Sequence, residues 1–223
     1  MAGADGSYFT GRTFFLDKRG VRGDSECDRT FHLLFAPERV TVTTIAASPG
    51  LSRTASALRR LYFTRAAFAI VWAVVTIATA KEIGPLTVAL FVLYPLFDVG
   101  AAVYDLRSSR STLLYVNIAV SLIAAVGVGA ACASGIPAVL RVWGAWAIVA
   151  GLVQLVVAVS RRRMGGQWPM IISGGISVLA GGSFIAAASA DNPALTNAAG
   201  YAIPGAIFFL IAAVRLGRGA KGN

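Results

Sequence analysis

Six apolar segments of about twenty residues follow one another between Leu61 and Leu216, separated by short polar loops. They run approximately over Leu61–Ala80, Pro85–Tyr104, Leu113–Ala133, Ala138–Ser160, Trp168–Ala188 and Ala194–Leu216. A helix rising about 1.5 Å per residue needs about twenty apolar residues to cross the hydrocarbon layer of a bilayer. The pattern therefore predicts an all-α polytopic membrane protein with six transmembrane helices.

The polar positions between the segments carry an orientation. Arg53, Arg59, Arg60 and Arg65 gather at the start of the first segment, and Arg107 and Arg110 follow the second. Arg161, Arg162 and Arg163 follow the fourth, and Arg215, Arg218 and Lys221 close the sixth. Only Lys81 and Arg141 lie at the opposite ends. The excess of Lys and Arg in cytoplasmic loops predicts that both termini face the cytoplasm. Domain organisation follows: a polar tail over 1–53, expected to be disordered and cytoplasmic, a six-helix membrane domain over 54–218, and a short cytoplasmic tail over 219–223.

Composition fits that reading. Hydrophobic residues make up 57% of the 223, charged residues only 13%, and the mean hydropathy is +0.71. The net charge of +10 sits in short loops, where it sets topology and meets anionic lipid. No basic run interleaved with aromatics offers a nucleic-acid surface. The expected partners are the lipid bilayer, a second copy of the chain or other membrane helices.

The tail mixes Gly, Arg, Asp and scattered aromatics without helical or strand periodicity, and it lacks the apolar core of a secretory signal. Because the membrane unit starts only near Thr54, a translation start at Val40 or Val42 is an alternative; finding the intact mature protein with Met1–Arg39 present excludes it. Cys27 and His32 lie in this tail without further Cys or His nearby, so neither a metal nor a cofactor is expected. Cys132 belongs to the far end of the third segment, out of reach of Cys27 for a disulfide.

Repetition is the next signal. Gly100 is followed ten residues later by Arg110, Gly151 by Arg161 and Gly205 by Arg215. The pattern suggests three copies of a helical hairpin of roughly fifty residues. Ser121, Ala125, Gly129 and Ala133 form a small-residue line at intervals of four, as do Ser173, Ser177 and Gly181. Such lines let helix backbones approach closely in lipid, so Gly100, Gly129, Gly151, Gly181 and Gly205 are predicted helix-packing positions.

Four stretches carry a family resemblance. They are Tyr94-Pro-Leu-Phe-Asp98-Val-Gly100, Trp146-Ala-Ile-Val-Ala-Gly151, Trp168-Pro-Met-Ile-Ile-Ser-Gly174-Gly-Ile-Ser177, and Tyr201-Ala-Ile-Pro-Gly205 with its closing Ala212-Ala-Val-Arg215-Leu216. In this order they resemble the HdeD-like membrane proteins, a short-repeat family associated with bacterial acid resistance. The resemblance covers roughly residues 61–218. It implies a six-span protein of the bacterial plasma membrane with a role in acid or envelope stress tolerance; the lack of catalytic motifs makes a non-enzymatic role the expectation. The chain departs from the family pattern in its longer tail and in Val99, which separates Asp98 from Gly100.

Chemistry inside the segments is sparse: no His, no Ser/His/Asp set and no metal-ligand spacing. The exception is Asp98, since a carboxylate in a span is costly and by default faces the bundle interior with a partner. Counting depth brings Asn117, Ser121, Gln154, Ser173 and Ser177 close to its level, a predicted intramembrane polar patch. In one reading a protonated Asp98 hydrogen-bonds Asn117 or Gln154 as glue worth about 0.6–2 kcal/mol per bond. In the other the patch belongs to a small channel or transporter for protons or a small solute. A third function, a membrane assembly scaffold, would use the small-residue lines. Trp72, Trp143, Trp146 and Trp168 supply candidate interface anchors, Trp168 most clearly. Asp105 is expected at the membrane interface beside Arg107.

Overall fold

The structure, a computed structural model, describes residues 49–109 and 111–219. The chain divides into Met1–Thr43 and Thr44–Asn223. The first unit, with Cys27 and His32, lies outside the described residues, as do Arg110 and Lys221. Among the described residues the secondary structure is entirely helical: α1 (Pro49–Thr79), α2 (Pro85–Leu106), α3 (Thr112–Ala131), α4 (Ile136–Ser160), α5 (Trp168–Ala187) and α6 (Thr196–Gly219). All six are long and apolar enough to cross a membrane, which fits a multi-pass membrane protein.

Local sequence explains the helix ends. Pro85, Pro137 and Pro169 occupy the first or second helical position of α2, α4 and α5, where a missing N–H costs nothing. Between α4 and α5 a single 3₁₀ turn (Arg162–Met164) ends at Gly165 and Gly166, whose φ angles of 72° and 67° suit glycine alone. At the other end α1 starts at Pro49, so residues 49–53 are helical and the polar tail ends earlier than its composition indicated.

Each helix packs against its neighbours in sequence, and α6 returns to α1, closing a ring of six. The most extensive pairings are α4 with α5, α1 with α6 and α2 with α3. These are pairs that meet through the Arg-rich end of the bundle, not the hairpins α1–α2, α3–α4 and α5–α6 of the sequence pattern. The α4–α5 seam shows why its pairing is tight. A Cβ on Gly144 would lie 2.5 Å from the Gly181 carbonyl oxygen, and one on Gly151 would lie 2.7 Å from Ser177 Cβ. Close backbone approach supplies the van der Waals contact that drives helix association in lipid.

The other predicted glycines do not act this way. Gly100 and Gly205 face open space, and a Cβ on Gly129 would meet only the Val92 side chain at an ordinary 3.6 Å. Their small size therefore brings no backbone close, whereas Gly144 and Gly174 join Gly151 and Gly181 at the seam.

The interior has two apolar clusters. One, toward the end away from the Arg-rich loops, centres on Trp72, Phe91, Trp143, Val128 and Leu140. The second, at the Arg-rich end, holds Leu58, Leu61, Tyr62, Met170, Phe209 and Leu216. Of the four tryptophans only Trp168 lies at the surface, 65% exposed; Trp72, Trp143 and Trp146 are core residues, not interface anchors. Outward positions such as Val71, Ile123, Val126 and Leu179 are exposed and apolar, as a lipid-facing surface requires.

Candidate functional site

A polar layer separates the two apolar clusters, and α2 organises it. Asp98 and Asp105 are seven residues, about two turns, apart, so both point to the bundle interior, where both are buried. Pro95, buried one turn before Asp98, lacks the N–H that would donate to the Phe91 carbonyl and so weakens the helix ladder there.

Donors from two helices converge on Asp98. Oδ1 pairs with the Arg65 guanidinium of α1. Oδ2 accepts from Asn117 Nδ2 at 2.6 Å and from Ser121 Oγ at 2.9 Å, both on α3 and one turn apart. Ser121 Oγ in turn accepts from Trp146 Nε1 of α4 at 3.0 Å. The Arg65 guanidinium also sits 4.9 Å from the Phe209 ring centroid of α6, a cation–π contact. An ionised carboxylate only accepts hydrogen bonds, and every partner here donates. Asp98 thus holds Arg65 and two polar groups of α3 together, Asn117 being one of the two partners that the sequence offered it.

Nearer the Arg-rich end a second pair repeats the device. Arg161 donates to Asp105 through two nitrogens, at 2.7 and 3.0 Å, and to Ser109 Oγ at 2.7 Å. Both side chains of this pair are 9% exposed. Asp105 is therefore a buried partner of Arg161, not an interface residue beside Arg107. Beside this pair, Tyr62 Oη donates to the Oε1 of buried Gln167 at 3.3 Å.

Between the two pairs lies a cavity of about 140 Å³, with room for several waters. Asp98, Asn117, Gln154, Ser173 and Ser177 line it, and Ser121 reaches it through Asp98. The sequence patch is thus assembled around one space. Gln154 does not reach Asp98, however; its Nε2 donates to the Met170 carbonyl at 3.2 Å, and Ser177 Oγ donates to the Ala147 carbonyl at 3.2 Å. Arg65, Arg161, Tyr94 and Tyr201 also line the cavity.

Aromatic rings close the space on the far side. Trp72 and Trp143 stack with centroids 5.5 Å apart and planes 7° from parallel, and Tyr94 meets Trp72, Trp143 and Trp146 edge-on. The site is consequently a polar chamber beneath an aromatic plug.

By sequence position Arg65 and Arg161 look like loop charges that fix topology. Both are instead committed to buried carboxylates inside the bundle. Arg59, Arg60, Arg107, Arg162, Arg163, Arg215 and Arg218 are exposed at that end. Among the described residues no group of three His, Cys, Asp or Glu side chains is placed to hold a metal. No family model, curated protein or solved structure matches the chain.

Proposed function

We propose that the chain is a non-enzymatic integral membrane protein of the HdeD-like kind that supports tolerance of acid or envelope stress. In this reading it resides in the bacterial inner membrane with both termini in the cytoplasm. The observation that carries a role beyond structure is Asp98: a carboxylate 4% exposed, at membrane depth, paired with Arg65 and facing a cavity. Ionisable groups held inside a bilayer protein mark ion and solute paths and proton relays, because their insertion is costly.

The chamber favours a specific form of that role, a path for protons or a small polar solute that opens from the Arg-rich side. Asp98 is its proton-exchanging group, with Arg65 as counter-ion. In this reading the stacked Trp72 and Trp143 are the plug, and transfer requires that they move. Cells carrying the chain survive low pH better than cells lacking it, and Asp98→Asn removes that advantage while the protein still accumulates in the membrane. Liposomes containing the protein show pH-driven leak that the same substitution abolishes. Equal acid survival of parent and variant removes the path from this reading.

A further inference from the structure

The α1–α2 groove on the outside of the ring is built differently from the rest of the lipid-facing surface. α1 and α2 make the sparsest of the neighbouring pairings, leaving an apolar cleft of about 320 Å³. Leu61, Phe97 and Gly100 line it, and Gly100 is exposed with nothing within 4 Å of where a Cβ would stand. The cleft shares Arg60 and Tyr104 with a second, more polar recess of about 310 Å³ that Arg53 also lines. Arg53 and Arg60 are seven residues apart, hence on one face of α1.

Position along the membrane normal matters here. α1 has 31 residues, about 46 Å of helix against a hydrocarbon core of about 30 Å, so its first turns stand in the headgroup layer. The polar recess therefore lies at headgroup level and the apolar cleft beside the acyl chains. Charge selects the occupant. Among the described residues the only acids at this end are Asp98 and Asp105, both buried and committed to Arg65 and Arg161. Neither Arg53 nor Arg60 has a carboxylate partner among the described residues.

We propose that the α1–α2 groove is a binding site for one anionic phospholipid, with its phosphate on Arg53 and Arg60 and an acyl chain against Gly100. The bound lipid fills the gap that the two helices leave and covers α2 on the side opposite its buried acids. Tyr104 Oη stands at the same level as a further donor to the headgroup.

The test uses the full chain in detergent, titrated with dioleoyl phosphatidylglycerol or dioleoyl phosphatidylcholine and read by native mass spectrometry. The phosphatidylglycerol adduct is retained in preference, on the order of thirtyfold, given about 1 kcal/mol for each of the two basic residues at an anionic surface. Arg53→Gln with Arg60→Gln brings phosphatidylglycerol down to the phosphatidylcholine level. Arg162→Gln with Arg163→Gln, which removes the same charge from the α4–α5 connection, leaves it unchanged. Gly100→Leu, which fills the cleft without touching the arginines, lowers retention of both lipids. Equal losses from the two arginine pairs mean diffuse attraction and overturn the site. So does undiminished lipid retention in Gly100→Leu, and so does a dimer peak that Gly100→Leu abolishes, because a second copy then occupies the groove.

Discussion

Cutting one member of the Asp98–Arg65 pair leaves the other as an unmatched charge in a medium that solvates charge poorly. In soluble proteins this costs about 3–5 kcal/mol, more than the pair itself contributes. Asp98→Asn and Arg65→Met are each expected to lower the unfolding temperature in detergent substantially. The double variant should lose less than the sum, because neither charge is then stranded. Ser121→Ala is milder, about 0.6–1.7 kcal/mol, since it removes one hydrogen bond to Asp98 and the acceptor of Trp146 Nε1. A thermal-unfolding double-mutant cycle on the purified protein checks both; additive losses for Asp98 and Arg65 would contradict the pairing. Asp98 with Asn117 and Ser121 was legible from depth counting alone. Arg65 is masked by the basic residues just before it, Arg59 and Arg60, which make it look like one more loop cation. Its signal was nevertheless in the pattern: it lies four residues inside the first apolar segment, about as deep as Asp98 lies in the second. The partner of Gln154 was hidden, since a backbone carbonyl such as that of Met170 leaves no mark in a side-chain pattern.

At the scale of helices, adjacent glycines of α5 have opposite roles. A Cβ at position 181 would press against the Gly144 carbonyl oxygen, whereas at position 182 it would meet nothing within 4 Å. Gly181→Ala should force α4 and α5 apart and cost about 1–3 kcal/mol. Gly182→Ala should be neutral or stabilise by up to about 1 kcal/mol through helix propensity. Melting temperatures of the two variants, measured side by side, decide it. Five of the six spans were legible to within three residues, because apolar length is what a bilayer selects, whereas the first helix starts at Pro49, well before Leu61, in a stretch whose polar residues conceal it. Which glycines sit at a seam was not, since that depends on which helices become neighbours around the ring. The small-residue line of α5 met a facing line on α4, at Gly144 and Gly151, while that of α3 found side chains. The α6–α1 closure joins the two ends of the membrane domain, and no local pattern announces such a contact.

For the molecule as a whole, six successive helices of spanning length put the α2–α3 and α4–α5 connections on one face and the α1–α2, α3–α4 and α5–α6 connections on the other. With Cys27 and Cys132 replaced, a membrane-impermeant thiol reagent applied to intact cells should label Lys81→Cys and Asn192→Cys. Arg162→Cys should react only after permeabilisation. Labelling of Asn192→Cys and Arg162→Cys from the same side would break both the span count and the proposed orientation. The two buried pairs also bear on how the chain is made. Arg65 and Asp98 belong to consecutive helices and can leave the ribosome's insertion machinery as a neutral couple. Asp105 has to wait for Arg161, 56 residues later, before its charge is matched. A nascent chain halted between α3 and α4 carries that acid uncompensated, so the fourth helix completes the assembly electrically as well as sterically.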